Sequence, residues 1–119
     1  MSEAELLRFT LHALATSTLI HWRMPVSGVP QSFGKKMVMK KSPVCGFPDV
    51  CGLTHEGTFF GIELKSEKGR VSLVQSIVQE KLRGSNAFIT VARNPEEVLT
   101  FIENIGGKIN ALAKAKASK

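Results

Sequence analysis

The feature that most restricts the fold is the stretch at residues 49–65, "DVCGLTHEGTFFGIELK". Two runs with strand-like composition, "DVCGLT" and "TFFGIELK", flank "HEG", a three-residue connection in which Gly57 can take the left-handed conformation such hairpin loops need. If Thr54 and Thr58 form the last pair before the loop, counting back along both strands sets Asp49 opposite Glu63. Side chains alternate along a strand, so Glu63 and Lys65 share a face with Asp49, and Leu64 points the other way. Directly opposed Cβ atoms lie about 4.5–5.5 Å apart, where two carboxylates repel unless something positive stands between them.

The rest of the chain supplies partners for this hairpin. Residues 3–17 read as a helix capped by Ser2, with Glu3, Leu6, Leu7, Thr10 and Leu14 at helical spacing, so Glu3 shares a side with core residues. "TLIHWRMPV" reads as a strand that ends at Pro25. The segment at 27–47, rich in Gly, Pro, Ser and Lys, reads as a surface loop. After "SEKGR" the period changes: Ser72 caps a helix whose stripe is Val74, Ile77, Val78, Lys81 and Leu82, closing at Gly84. "NAFITVAR" is a further strand, expected to run parallel to "TFFGIELK" through a right-handed crossover. "NPEEVLTFIENIGG" is a last helix, with Pro95 in its first turn and two glycines at its end. This order favours an α/β architecture, a mixed sheet flanked by helices.

A length of 119 residues with 43% hydrophobic content suits one domain with one modest core. That domain is expected to span residues 1–105, with the lysine- and alanine-rich segment 106–119 as a basic, flexible tail. The apolar runs are broken well short of a bilayer span, and the first residues carry acids rather than a basic signal region, so the expected compartment is the cytoplasm and no membrane partner is expected. Cys45 and Cys51 are both read as small buried hydrophobes under reducing conditions, and His12, His21 and His55 follow no zinc spacing. The net charge of +6 permits a polyanionic partner.

Two facing carboxylates and a neighbouring lysine have a definite chemical use. Hard oxygen ligands suit Mg2+ or Mn2+, which binds through one or two carboxylates and leaves positions for water and phosphate oxygens. A nearby lysine can orient or deprotonate the attacking water in phosphodiester hydrolysis. The plain alternative is a solvated charge pattern, common for Glu-x-Lys triplets. Gln75, one turn past Ser72, can donate to Lys65, a carboxylate or a phosphate, or can simply face solvent. The helix start at "GRVS" offers unpaired donors to a phosphate beside Arg70, although Ser72 can equally be only a cap. Arg23, Lys35, Lys36, Lys40 and Lys41 read either as a phosphate-contacting rim or as a solvated lysine loop.

The ordered set Glu3, "GFPD" at 46–49, "GIELK" at 61–65 and "GRVSLVQ" at 69–75 resembles the VRR-NUC family of the PD-(D/E)XK nuclease superfamily, in its small stand-alone phage or bacterial type. The match spans Glu3 to about Phe101. The resemblance implies a restriction-endonuclease-like core and a divalent-metal-dependent DNA endonuclease, structure-specific for Holliday junctions or other branched DNA in replication, repair or recombination. It implies Asp49, Glu63 and the backbone carbonyl of Leu64 as metal ligands, joined by a helix acid, Glu3 with Glu5 as the fallback. Lys65 would be the catalytic lysine and Gln75 the family's helix glutamine. A homodimer is implied, its interface drawn from a later helix or from Phe88 and Ile89. A non-cutting nucleic-acid-binding module of the same fold, or a general nickase or flap nuclease, are the competing readings.

Overall fold

The computed structural model describes residues 1–25, 29–34, 36–40 and 44–108, with the backbone alone at 29–33 and 36–40. Elements follow in the order α1 (Glu3–Ala15), β1 (Ile20–Arg23), β2 (Val29–Phe33), β3 (Lys36–Lys40), β4 (Val50–Leu53), β5 (Phe59–Leu64), α2 (Leu73–Gly84), β6 (Phe88–Ala92) and α3 (Pro95–Asn104). Four strands form one mixed sheet in the order β1-β4-β5-β6, antiparallel except for the β5–β6 pair. The chain is therefore a mixed α/β fold with helices flanking the sheet, as its element order implies. Among the described residues no helix is long and apolar enough to cross a membrane.

The hairpin register is the expected one. Val50 pairs with Ile62 and Leu53 with Phe59, and the Thr54 N–H donates to the Thr58 carbonyl at 2.8 Å to close the loop. Gly57 takes φ +85°, the left-handed geometry a three-residue connection requires. Asp49 stands one residue before β4, where its backbone carbonyl accepts from the Met24 N–H and so ties β1 to the start of the hairpin.

The pleat divides the side chains of β5 between two faces. Phe60, Ile62 and Leu64 meet Val50, Ala92, Leu6, Leu14, Val98 and Ile102 in a core under α1 and α3. The opposite face holds Gly61 and Glu63. A Cβ at Gly61 would lie 2.5 Å from Pro48 Cγ, so glycine is what allows the Phe47-Pro48-Asp49 turn to fold against the sheet. The starts of α1 and α2 close as capping boxes, Ser2 with Glu5 and Ser72 with Gln75.

Three expectations are corrected. The segment at 27–47 is not simply loop: β2 and β3 pair antiparallel as a separate two-stranded ribbon, turning at Gly34 with φ +62°. Its Pro and Lys content hid the pairing, which a ribbon with one partnered edge per strand tolerates. The buried side of α2 is also rotated from the expected stripe. Gln79 is buried, Gln75, Val78 and Leu82 are half-buried, and Val74, Ile77 and Lys81 are exposed, because Gln75 is drawn to Glu63 and sets the helix face. Cys51 is buried but Cys45 is exposed, since it lies in the turn that precedes Gly46. The proposed tail falls largely outside the described residues, whereas Ile105 and Gly107 are buried.

Candidate metal and phosphodiester site

Glu63 is the centre of the site. It is 1% exposed, and its carboxyl is pushed up to about 8 from an ordinary 4.5. Burial is the main cause and the neighbouring Asp49 carboxyl the next, with Lys65 opposing both. The two oxygens of Glu63 have different surroundings. Oε2 accepts from Gln75 Nε2 at 2.9 Å and lies 3.4 Å from Lys65 Nζ. Oε1 is buried with no hydrogen-bond partner among the described residues. A lone acceptor beside a second carboxyl calls for a proton or a cation.

Asp49 is fixed from the strand end. Its Oδ2 accepts the Leu64 N–H at 2.8 Å, so the side chain takes the place of a backbone partner where β4 has run out. In a strand the N–H and C=O of one residue point to the same side, so the Leu64 carbonyl also faces this edge. The Lys65 N–H, one residue on, donates to the Ala92 carbonyl of β6 at 3.1 Å. Asp49 and Leu64 line a cleft of about 240 Å³ together with Glu3, Ala4, Leu7 and Arg23. A wider hollow of about 400 Å³ between Thr90, Asn94 and Phe101 holds no buried ionisable group, and its Glu97 is already occupied by the Arg93 N–H and Asn94 Nδ2.

The two acids of α1 have different partners. Glu5 Oε1 accepts from the Ser2 N–H, and these contacts with Ser2 hold its carboxyl below the usual range, so Glu5 is committed to the helix start. Glu3 lines the cleft and accepts the Ser66 N–H at 3.2 Å. That bond ties Glu3 Oε1 to the β5–α2 connection while its residue shares the cleft with Asp49. Among the described residues no group of three or more His, Cys, Asp and Glu side chains is arranged for a metal ion. The donor set that does fit is smaller: two facing carboxyls, one of them with an orphaned oxygen, and one strand-end carbonyl. Mg2+ or Mn2+ fits such a set because it retains several waters.

The other candidates fall into groups. Gln75 is doubly used, accepting from the Ser72 N–H at 2.9 Å and donating to Glu63, so it links the start of α2 to the acid. Ser72 acts as the cap, its Oγ accepting from the Gln75 N–H. Arg70 is exposed just before that cap, and Arg23 opens onto the cleft from the end of β1. Lys36 and Lys40 bound β3, with their side chains not described, and Lys35 and Lys41 lie outside the described residues. Sequence reasoning missed Arg93, whose guanidinium reaches the β5–α2 connection, and no local pattern around "VARNP" signals it. It also missed Gln79, one helical turn beyond Gln75, whose Nε2 is the other buried atom without a partner among the described residues. No family model, curated protein or solved structure matches this chain.

Proposed function

We propose that this protein is a divalent-metal-dependent DNA endonuclease of the VRR-NUC kind, with a PD-(D/E)XK core that hydrolyses phosphodiester bonds. The observation that carries the reading is the buried, unpartnered Glu63 Oε1 beside Asp49, with Lys65 and Gln75 on the other oxygen. A solvated charge pattern would leave the acid exposed and hydrated. A non-cutting binding module has no use for a buried acid pair turned toward an anionic ligand.

Asp49, Glu63 and the Leu64 carbonyl would hold Mg2+ or Mn2+, with Glu3 acting through water. When bound, the cation supplies neutralisation of charge on the scissile phosphate. Gln75 keeps Glu63 in one orientation by donating to Oε2. Lys65 shares that oxygen, and its ammonium is the group placed to orient the attacking water and steady the developing negative charge. Arg23 lines the cleft, where a cation favours a sugar-phosphate backbone whatever its sequence, and Arg70 stands exposed just before the Ser72 cap.

The proposal includes branched DNA as substrate and a homodimer as the active form. Leu73, Val74, Ile77 and Phe88, on α2 and β6, are 77%, 50%, 48% and 48% exposed and would be the apolar side chains that meet a second copy. The test incubates the protein with supercoiled plasmid, flaps and four-way junctions, with Mg2+, Mn2+ or chelator, beside a sedimentation mass. Cleavage that needs metal and favours the junction supports the proposal. No cleavage of any substrate in either metal refutes it.

A further inference from the structure

The connection at residues 66–69 between β5 and α2 is held from both sides. On one side Glu3 Oε1 accepts the Ser66 N–H at 3.2 Å. On the other, a single nitrogen, Arg93 Nη1, donates toward three carbonyls: Ser66 at 2.8 Å, Glu67 at 3.3 Å and Gly69 at 2.6 Å. The Gly69 N–H closes the turn onto the Ser66 carbonyl at 3.1 Å. The base of this staple is itself fixed. Arg93 directly follows Ala92, which receives the Lys65 N–H, and its own N–H donates to Glu97 Oε1 at 3.1 Å at the start of α3.

The turn is tight as well as stapled. A Cβ at Gly69 would lie 3.1 Å from Ser66 Oγ and 3.2 Å from Glu3 Oε1, so turn and acid are packed against each other. The turn also separates Lys65 from Ser72 and Gln75, the two ends of the lysine–acid–amide cluster. Three carbonyl oxygens converging on one point form a negative locus that a planar, permanently charged donor satisfies well. Nη1 is thereby committed to backbone carbonyls and is not available to a phosphate.

From this geometry we infer that Arg93 is a positioning residue for the cleft: by clamping residues 66–69 it fixes Glu3, Lys65 and the start of α2 relative to one another. The inference rests on the nuclease reading for its consequence but not for its geometry. Small displacements of catalytic groups are costly, on the order of 100-fold in rate for 1 Å.

The test compares Arg93→Lys and Arg93→Gln with the wild-type protein. An ammonium keeps the charge but cannot reproduce a planar donor among three carbonyls, so both variants are expected to lose kcat by on the order of 100-fold with KM and the salt slope of DNA binding unchanged. A lysine variant within twofold of wild type, or a glutamine variant that changes KM and the salt slope instead of kcat, overturns the inference and makes Arg93 a phosphate contact. Amide hydrogen exchange supplies a readout independent of cleavage. In Arg93→Lys the Ser66 and Gly69 amides should exchange at least about tenfold faster while the Leu64 amide is unchanged. Unchanged exchange at Ser66 and Gly69 overturns the clamp. If the wild-type protein cuts no DNA, the nuclease reading fails and exchange alone decides the clamp. If neither variant folds, the wild-type guanidinium decides it: by nitrogen-15 NMR the Arg93 Nη1 protons should be separately resolved and slow to exchange, and a freely rotating, averaged guanidinium overturns the clamp.

Discussion

Replacing Glu63 with glutamine should stabilise the metal-free protein, and the gain should grow with pH. The acid binds its proton far more tightly folded, near 8, than the ordinary 4.5. A folded-state pKa raised in this way contributes stability that is complete below pH 4.5 and is lost as pH rises toward 8. At about 1.4 kcal/mol per tenfold change in proton affinity, the loss reaches about 3 kcal/mol at pH 7 and about 5 kcal/mol above pH 8. In Glu63→Gln the amide oxygen still accepts from Gln75, and the amide nitrogen gives Asp49 the donor that the protonated acid would give. The attraction of Lys65 for the ionised acid is already contained in these figures, because it opposes the upward shift.

The assay is thermal and urea unfolding of both proteins in chelator from pH 4 to 8.5. The curves should coincide at the acid end and separate by on the order of 10 °C at pH 8. Added Mn2+ should then raise the stability of wild type, by about 2.7 kcal/mol at 100 times Kd, and raise that of the variant far less. A variant less stable than wild type at pH 8, or a difference independent of pH, would refute the reasoning.

Other perturbations follow from the same contacts. Asp49→Ala and Lys65→Ala should each lower plasmid cleavage by at least about 100-fold while DNA affinity by filter binding stays within about twofold, because affinity comes from backbone contacts made by basic residues. Gln75→Ala removes a cap partner and the Glu63 donor together, so it should cost about 1–2 kcal/mol in urea unfolding and also lower cleavage. Gly61→Ala places a methyl 2.5 Å from Pro48 Cγ and should destabilise by about 1–3 kcal/mol while disturbing the adjoining Asp49. Replacing Lys35 and Lys36 together with Ala should flatten the log Kd against log salt slope by roughly 2; an unchanged slope would make that segment passive.

What could be read from the sequence is mostly local or set by pairing. A three-residue loop with one left-handed glycine dictates its register, and register alone puts Asp49 and Glu63 together. Capping signals at Ser2 and Ser72 mark two helix starts for the same reason: the partners lie within three residues. The orientation of α2 was less accessible. Apolar spacing offered Val74 and Ile77 to the core, but a hydrogen bond to an acid 12 residues earlier turned them outward. The β2–β3 ribbon was hidden because composition typical of loops outweighed a weak alternation. Arg93 and Glu3 meet the 66–69 connection across 24 residues or more, a distance at which sequence spacing carries no signal.

The most direct test of the account is anomalous diffraction from crystals of the wild-type protein soaked in Mn2+. A single peak within coordination distance of the Asp49 and Glu63 carboxylates and the Leu64 carbonyl is the predicted result. A fully bound ion elsewhere, with Glu63 Oε1 still facing Asp49 unbridged, would contradict it.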